Sequence, residues 1–430
     1  MRIVSLKSTQ SWTKFLRVAL LAASLTAAGC HAPVHSGLLN GFCPERLDRL
    51  RSGLQQQVDD GHFAGAVAMI VRDDETVLLE SFGMRDRETA EAMPVDAIFR
   101  IASMTKPVTS VAIMMLQEQG RLSLRDPVSK YLPELGELEV AVPPSAGGAE
   151  SELSRVATAK RITIYDLLRH TSGLTYGFFG DSPVDRLYVE RNLLDREGTL
   201  DGFITQLSTL PLKHQPDTVW EYSVSTDVLA RVVEVVSGTP INVFFKERIF
   251  EPLGMVDTAY FVPESKLARL ATIYRVDPDA GLVRADDINA RDATQIPKLL
   301  RGGTGLFSTA RDYARFCRML ARGGELDGER LLAPSTVNLM TTDHLGTIPH
   351  NDILPRGHGF GLGFAVRLEP GGSPDNGTQG NYFWKGSAGT GFWIDPQERL
   401  IGVFMIQNFR QSQYRDRDQF KSLVYQALID

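Results

Sequence analysis

Apolar residues recur at helical intervals over residues 44–60, where Leu47, Leu50, Leu54 and Val58 share one face. Two strands are predicted next, over 65–71 and 76–82, joined by the turn Arg72-Asp73-Asp74-Glu75. The far end of the chain mirrors this. Strands are predicted over 360–368, 381–385, 391–394 and 400–407, separated by turn-rich stretches such as 371–380, and a last helix covers 413–428. Leu400, Ile401, Val403, Phe404, Met405 and Ile406 are apolar on both faces, which puts that strand inside a sheet covered on both sides. Chain ends that each supply strands and a helix point to an α+β fold. Its antiparallel sheet would be built from the N- and C-terminal segments and flanked by helices, with a mostly helical lobe, residues 103–330, inserted. Residues 136–160, rich in Ala, Ser, Gly and Pro, read as a surface insertion.

Composition adds a compartment. The 430 residues are 43% hydrophobic and 23% charged, enough for a large core. Arg2, Lys7, Lys14 and Arg17 precede an apolar run over 18–28, shorter than the ~20 residues that cross a bilayer. Residues 1–29 therefore read as a secretory signal. Their junction, Ala27-Ala28-Gly29-Cys30, resembles a bacterial lipobox, which implies lipidation of Cys30; plain export with cleavage nearby is the alternative. His31 in place of Asp favours the outer membrane, so the expectation is an exported bacterial lipoprotein facing the periplasm. It would touch membrane only through its lipid, with residues 30–43 as tether and 44–430 as a single domain. Losing residues 1–29 removes four positive charges and no negative one, moving the net charge from −6 to −10. With no basic cluster, nucleic acid is not an expected partner. Cys43 and Cys317 lack metal spacing, and a bridge between them stays open. His170, His214 and His344 stand alone, so no metal site is expected.

The chemistry starts at Ser103-Met104-Thr105-Lys106. Val108, Val111, Ala112, Met115 and Leu116 follow at helical spacing and Gly120 closes the pattern, so Ser103 stands at a helix N-terminus with Pro107 in the first turn. Positions i and i+3 share a face, which brings the Lys106 amine to the Ser103 hydroxyl. The helix dipole favours a developing anion there, and an apolar helix would bury the lysine and lower its pKa. A lone Ser-x-x-Lys is weak evidence, since Ser11 to Lys14 gives a second match in the leader. A cap serine with a solvated lysine explains the local pattern equally well.

The rest of the chain alters that balance. Phe99-Arg100-Ile101-Ala102-Ser103-Met104-Thr105-Lys106 resembles the active-serine motif of the β-lactamase and penicillin-binding-protein superfamily. In order there follow Leu168-Arg169-His170-Thr171-Ser172-Gly173-Leu174, Trp220-Glu221-Tyr222-Ser223, Phe250-Glu251-Pro252-Leu253-Gly254-Met255, Gly302-Gly303-Thr304-Gly305-Leu306 and Trp384-Lys385-Gly386-Ser387-Ala388-Gly389-Thr390. The resemblance runs from about residue 45 to 425 and implies a β-lactamase/transpeptidase-like fold with no cofactor. It implies Ser103 as nucleophile, and Tyr222, its pKa depressed by Lys106, as proton-exchange partner; which of Lys106 and Tyr222 is the formal base stays open. It also implies an oxyanion hole from the backbone N–H groups of Ser103 and Ser387, and substrate contacts at Trp384 and Gly386. His170 reads as structural, after a short helix whose Thr163-x-x-Asp166 start resembles a capping box. Residues 302–305 read as a tight turn. No Gly-x-Ser-x-Gly occurs, which excludes an α/β-hydrolase elbow.

Two departures bear on substrate. Val224 stands where class C lactamases carry a substrate-binding Asn, and Trp384 stands where they carry the Lys of Lys-Thr-Gly. Both resemble family VIII carboxylesterases, which implies a small ester as substrate. Lys385 is one place along and faces the other side of a strand, yet keeps lactam or carboxylate recognition open. The rivals are a β-lactamase or D-amino-acid peptidase acting on an amide, and a catalytically silent lipoprotein that binds cell wall.

Overall fold

In the computed structural model, β1 (Gly65–Arg72) and β2 (Glu75–Asp86) form a hairpin closed by Asp73 and Asp74. Both aspartates are left-handed, φ 50° and 69°, as a two-residue turn of matching twist requires. β2 pairs onward with the short β3 (Glu91–Ala92). The far end supplies β4 (His358–Phe360), β5 (Ala365–Arg367), β6 (Tyr382–Lys385), β7 (Gly391–Asp395) and β8 (Leu400–Ile406). Together they make one antiparallel sheet ordered β4-β5-β6-β7-β8-β1-β2-β3. Its centre joins the two ends of the chain, with Ala66 opposite Ile406 and Arg72 opposite Leu400. β8 is buried along its whole length, as its two-faced apolar sequence requires.

Helices α1 (Pro44–Asp59), α2 (Thr105–Glu118), α3 (Ile164–Leu168), α4 (Ser225–Ser237), α5 (Ala310–Ala321) and α6 (Asp416–Ala427) frame the sheet and the lobe. Neighbouring residues on β7 show which helix covers which face. The Phe392 ring meets Tyr313 of α5 at 5.1 Å, while Trp393 meets Phe420 of α6 at 5.5 Å. Successive strand residues point to opposite sides, so α5 and α6 cover opposite faces. α1 packs beside α6, and α2 and α3 pack on α4 in the lobe. One continuous apolar core runs through sheet and lobe, from Leu47 through Val111 and Val233 to Val424.

The structure describes residues 39–142, 153–195, 197–289, 291–409 and 415–430. The expected signal segment, Cys30, most of the tether and the centre of the 136–160 insertion lie outside them. At the base of that insertion, Glu139–Val142 pairs with Ser154–Ala157. Among the described residues no single helix is long and apolar enough to cross a membrane.

Two expectations change, and the open question of a cysteine bridge is answered. The strand over 360–368 is two strands, because the chain doubles back through Gly361-Leu362-Gly363. A Cβ at Gly361 would lie 2.1 Å from the Met340 carbonyl oxygen, and Gly363 is left-handed (φ 106°) with only 2.4 Å to the Ser110 hydroxyl. The middle region also holds strands of its own, Tyr274–Asp277 and Gly281–Arg284, which join Asn408–Phe409 in a small sheet. Finally, Cys317 is a free thiol buried on α5, so it forms no bridge with Cys43.

Candidate active site

The segment that carries Ser103 is held from several sides before it enters α2. Phe99-Arg100 pairs with Phe307-Ser308. The Gln407 amide, just past β8, brackets Arg100, accepting from its N–H and donating to its C=O, both at 3.1 Å. Ala102–Met104 then forms a 3-10 turn leading into the helix. Ala102 is left-handed (φ 46°), a strained conformation for a residue with a Cβ. The turn is pinned by Thr105 Oγ1 donating to the Ala102 carbonyl (2.8 Å) and by the Tyr313 hydroxyl donating to the Met104 carbonyl (2.8 Å). Ser103 thus sits half-buried at the head of α2, as its sequence context predicts.

Lys106 is buried, 2% exposed, with Nζ 3.4 Å from Ser103 Oγ and donating at 2.8 Å to the Gly303 carbonyl. The ammonium also lies 4.5 Å from the centre of the Tyr222 ring and 5.2 Å from that of Tyr176. Burial pushes its pKa down to about 7, with the Asp227 carboxylate pulling upward and the Arg301 guanidinium pressing further down. A lysine so placed is partly neutral at neutral pH and is able to accept a proton from Ser103.

The sequence reading missed what builds this pocket. Asp227, in the first turn of α4, takes two hydrogen bonds from Arg301 (3.1 and 3.2 Å) and a third from the Gly303 N–H (2.9 Å). A Cβ on Gly303 would fall 2.8 Å from the Tyr176 hydroxyl and 3.0 Å from both Asp227 oxygens. The expected turn at 302–305 therefore doubles as the wall that receives the Lys106 ammonium. The signals available were Arg301 ahead of a glycine pair, and Tyr176 just past the His170-Thr171-Ser172-Gly173-Leu174 stretch.

Tyr222 occupies the chain before α4, its ring packed against His170 (5.1 Å), Tyr176 (5.4 Å), Phe179 (5.7 Å) and Trp384 (5.3 Å). Its buried hydroxyl makes no hydrogen bond of ordinary geometry. Burial raises the phenol pKa above its ordinary value, and the nearby Ser103 hydroxyl and Trp384 indole only partly oppose this. The depressed phenol implied by the resemblance is thus corrected: desolvation by burial outweighs the groups that lower the pKa, Ser103, Trp384 and Arg301.

His170 fills a structural place. Its Nδ1 accepts from the Ser223 N–H at 3.3 Å, and burial, with Lys106 nearby, holds its pKa well below the usual histidine value. It is a neutral ring that packs Tyr222 into position. The helix ahead of it opens with the expected capping box between Thr163 and Asp166.

The last wall is β6 and the turn after it. Trp384 faces Tyr222, while Lys385 faces away, 3.7 Å from Asp418 on α6. This alternation puts Lys385 on the face of β6 opposite Trp384. Gly386 backs onto the Ser103 segment, where a Cβ would lie 2.5 Å from the Ile101 carbonyl oxygen. Thr390 Oγ1 donates to the same carbonyl at 3.3 Å. Between these ties Ser387 is exposed, and no acceptor among the described residues takes its N–H. Val224 is buried in the core. Among the described residues no cluster of His, Cys, Asp and Glu is arranged to hold a metal ion. A cavity of about 630 Å³ elsewhere in the lobe, lined by Phe250, Met255 and Tyr260 among others, contains none of Ser103, Lys106 and Tyr222.

Comparison with known proteins agrees with this architecture. The sequence matches the family described as Beta-lactamase over residues 50–426. Protein Rv1367c of Mycobacterium tuberculosis is 39% identical over 371 residues, which cover 84% of this chain and 90% of that one. A lovastatin esterase of Penicillium rubens is 30% identical over 381 residues, 82% of this chain and 91% of its own. Among solved structures, EstCE1, described as a hydrolase with promiscuous acyltransferase activity, is similar with a TM-score of 0.70 at 27% identity, covering 89% of this chain and 99% of that one. The match takes in both halves of the sheet and the lobe between them, so the chain belongs to the β-lactamase family and is a serine hydrolase.

Proposed function

We propose that this enzyme cleaves small carboxylic esters through an acyl-enzyme on Ser103. The observation that carries the reading is a lysine with a pKa near 7, buried 3.4 Å from the serine hydroxyl. Neutral Lys106 takes the Ser103 proton as Oγ bonds to the ester carbonyl carbon. The charge that develops on the carbonyl oxygen is met by the N–H groups of Ser103 and Ser387. As the carbon–oxygen bond to the alcohol breaks, the Tyr222 hydroxyl protonates the departing oxygen, and the Lys106 ammonium returns a proton to Tyr222. Water then repeats the sequence on the acyl-enzyme and frees Ser103. The split in roles follows the environments: burial favours neutral lysine and neutral phenol, so Lys106 is the resting base and Tyr222 the resting acid.

Three features support an ester over an anionic lactam or a D-peptide. Trp384 lines the site in the place of a lysine, Val224 is buried in the place of an amide, and Lys385 is turned toward Asp418. With them, Trp384 and Gly386 become the substrate-facing edge of β6. The relative named as an esterase supports the same direction. A panel of p-nitrophenyl butyrate, nitrocefin and a D-Ala-D-Ala peptide, with Ser103→Ala as control, tests it. Turnover of the butyrate ester that disappears in the variant is expected. Faster hydrolysis of nitrocefin or the peptide overturns the ester assignment, and wild-type turnover by the variant overturns the mechanism.

A further inference from the structure

Phe178 and Phe179 are 53% and 49% exposed, the most exposed aromatic side chains among the described residues. They are not an isolated surface patch. Phe179 lies 5.7 Å from the Tyr222 ring, Phe178 lies 4.6 Å from Phe179, and Tyr176 stacks on Phe178 at 5.1 Å. A continuous run of ring faces therefore leads from Tyr222 out to solvent.

The turn that presents these rings is built to hold them. Thr175 Oγ1 donates to Asp185 at 2.7 Å and accepts from the Gly177 N–H at 3.0 Å. Asp185 in turn receives Lys213 at 3.0 Å and caps its own helix through Ser182. Gly177 is left-handed (φ 85°), and a Cβ there would lie 2.6 Å from the Asp185 carbonyl oxygen. The backbone thus holds two large apolar side chains outside the core, in a fixed place beside the reacting groups. Rigid ring faces of this kind bind apolar groups at little cost in conformational entropy.

We infer that Phe178 and Phe179 form the subsite for the alcohol half of the ester, and that this alcohol is aromatic or similarly bulky and apolar. The inference rests on the proposed esterase mechanism. There the departing oxygen takes its proton from Tyr222, so the carbon attached to that oxygen starts beside the Tyr222 ring. Of the rings packed on Tyr222, His170, Tyr176 and Trp384 are buried, and only Phe179, continued by Phe178, opens to solvent, so the alcohol runs along these two.

Three esters separate the halves of the substrate: ethyl acetate, benzyl acetate and ethyl phenylacetate. Each is assayed with the wild type, Phe178→Ala, Phe179→Ala, the double variant and Ser103→Ala. Wild type should prefer benzyl acetate to ethyl acetate. The double variant should lose about tenfold in kcat/KM on benzyl acetate, the worth of one or two aromatic contacts, and little on the other two. Equal loss on all three esters, loss confined to ethyl phenylacetate, or no loss on benzyl acetate would overturn the inference. If wild type hydrolyses ethyl acetate and Ser103→Ala does not, those results count against the subsite alone. If wild type exceeds Ser103→Ala on none of the three, the esterase reading fails and the subsite with it. Unchanged thermal unfolding of the half-exposed variants is expected and checks that the fold is intact.

Discussion

At the scale of single residues, the site is expensive to keep folded. Lys106 loses its proton near pH 7 in the folded protein and near its ordinary 10.5 when unfolded. Below pH 7 both states hold the proton, and the cost of burying the cation is fully present, on the order of 5 kcal/mol. Between pH 7 and 10.5 the unfolded chain binds more protons, so stability rises with pH across that window. Lys106→Met should therefore abolish turnover and raise Tm by a few degrees at pH 6, with a gain that shrinks toward pH 10. The gain is reduced by about 1 kcal/mol because the Gly303 carbonyl loses its donor. Thermal scans across pH read this directly; a variant less stable than wild type at pH 6 would contradict it. In the wild type, kcat/KM should climb with pH around a midpoint near 7 as neutral amine accumulates. Tyr222→Phe offers the complementary case. Its buried hydroxyl makes no hydrogen bond of ordinary geometry, so its removal should leave unfolding free energy unchanged or raise it by about 1 kcal/mol. If the phenol protonates the leaving group, kcat should nevertheless fall by about 10² to 10⁴. A steady-state assay beside a denaturant titration separates the two effects.

At the scale of elements, α6 reaches into the site without contributing a reacting group. Arg417, its second residue, donates from Nη1 to the carbonyls of Gly386 and Thr390, each at 3.0 Å. Those two carbonyls bracket Ser387, so one guanidinium sets the direction of its N–H. Arg417→Met should lower kcat about tenfold with little change in KM, less than the loss of an oxyanion donor outright. Lys385→Met, on the same side of β6, should leave kcat alone. Pre-steady-state acylation rates give the readout, and equal rates for Arg417→Met and wild type would refute the clamp. This clamp was illegible in the sequence because its partners are backbone carbonyls, which leave no residue signature. The Lys106 contact to the Gly303 carbonyl was hidden for the same reason. What could be read was whatever has a local period or cap: α1 from its leucine spacing, the Thr163 capping box, α2 from the apolar run after Ser103. The hairpin of β4 and β5 lies between these cases. Gly361 and Gly363 were visible, but the reason for them is contact with Met340 and Ser110, set by the folded chain.

At the scale of the whole molecule, β8 is the strand on which everything depends. It is buried throughout and paired on both edges, with β7 on one side and β1 on the other. The sequence showed that such a strand must be central, because both its faces are apolar. Its neighbour β1 comes from the opposite end of the chain, so the entire lobe must be looped out before the pair can form. Loop closure over that length costs entropy before any contact rewards it, and nonlocal pairing of this kind folds slowly. The β1–β2 hairpin cannot anticipate the event, since an isolated two-stranded hairpin is marginal in water. The active site depends on the same closure, because Gln407, just past β8, brackets the backbone of Arg100 ahead of Ser103. Refolding should therefore show amide protection in β1 and β8 arising in one slow phase, with hydrolytic activity returning in step. Pulsed hydrogen exchange followed by mass spectrometry, alongside an ester assay on the same samples, makes the comparison. Early protection of β1 and β2, or activity recovered before β8 is protected, would show that the lobe and its site assemble without the sheet.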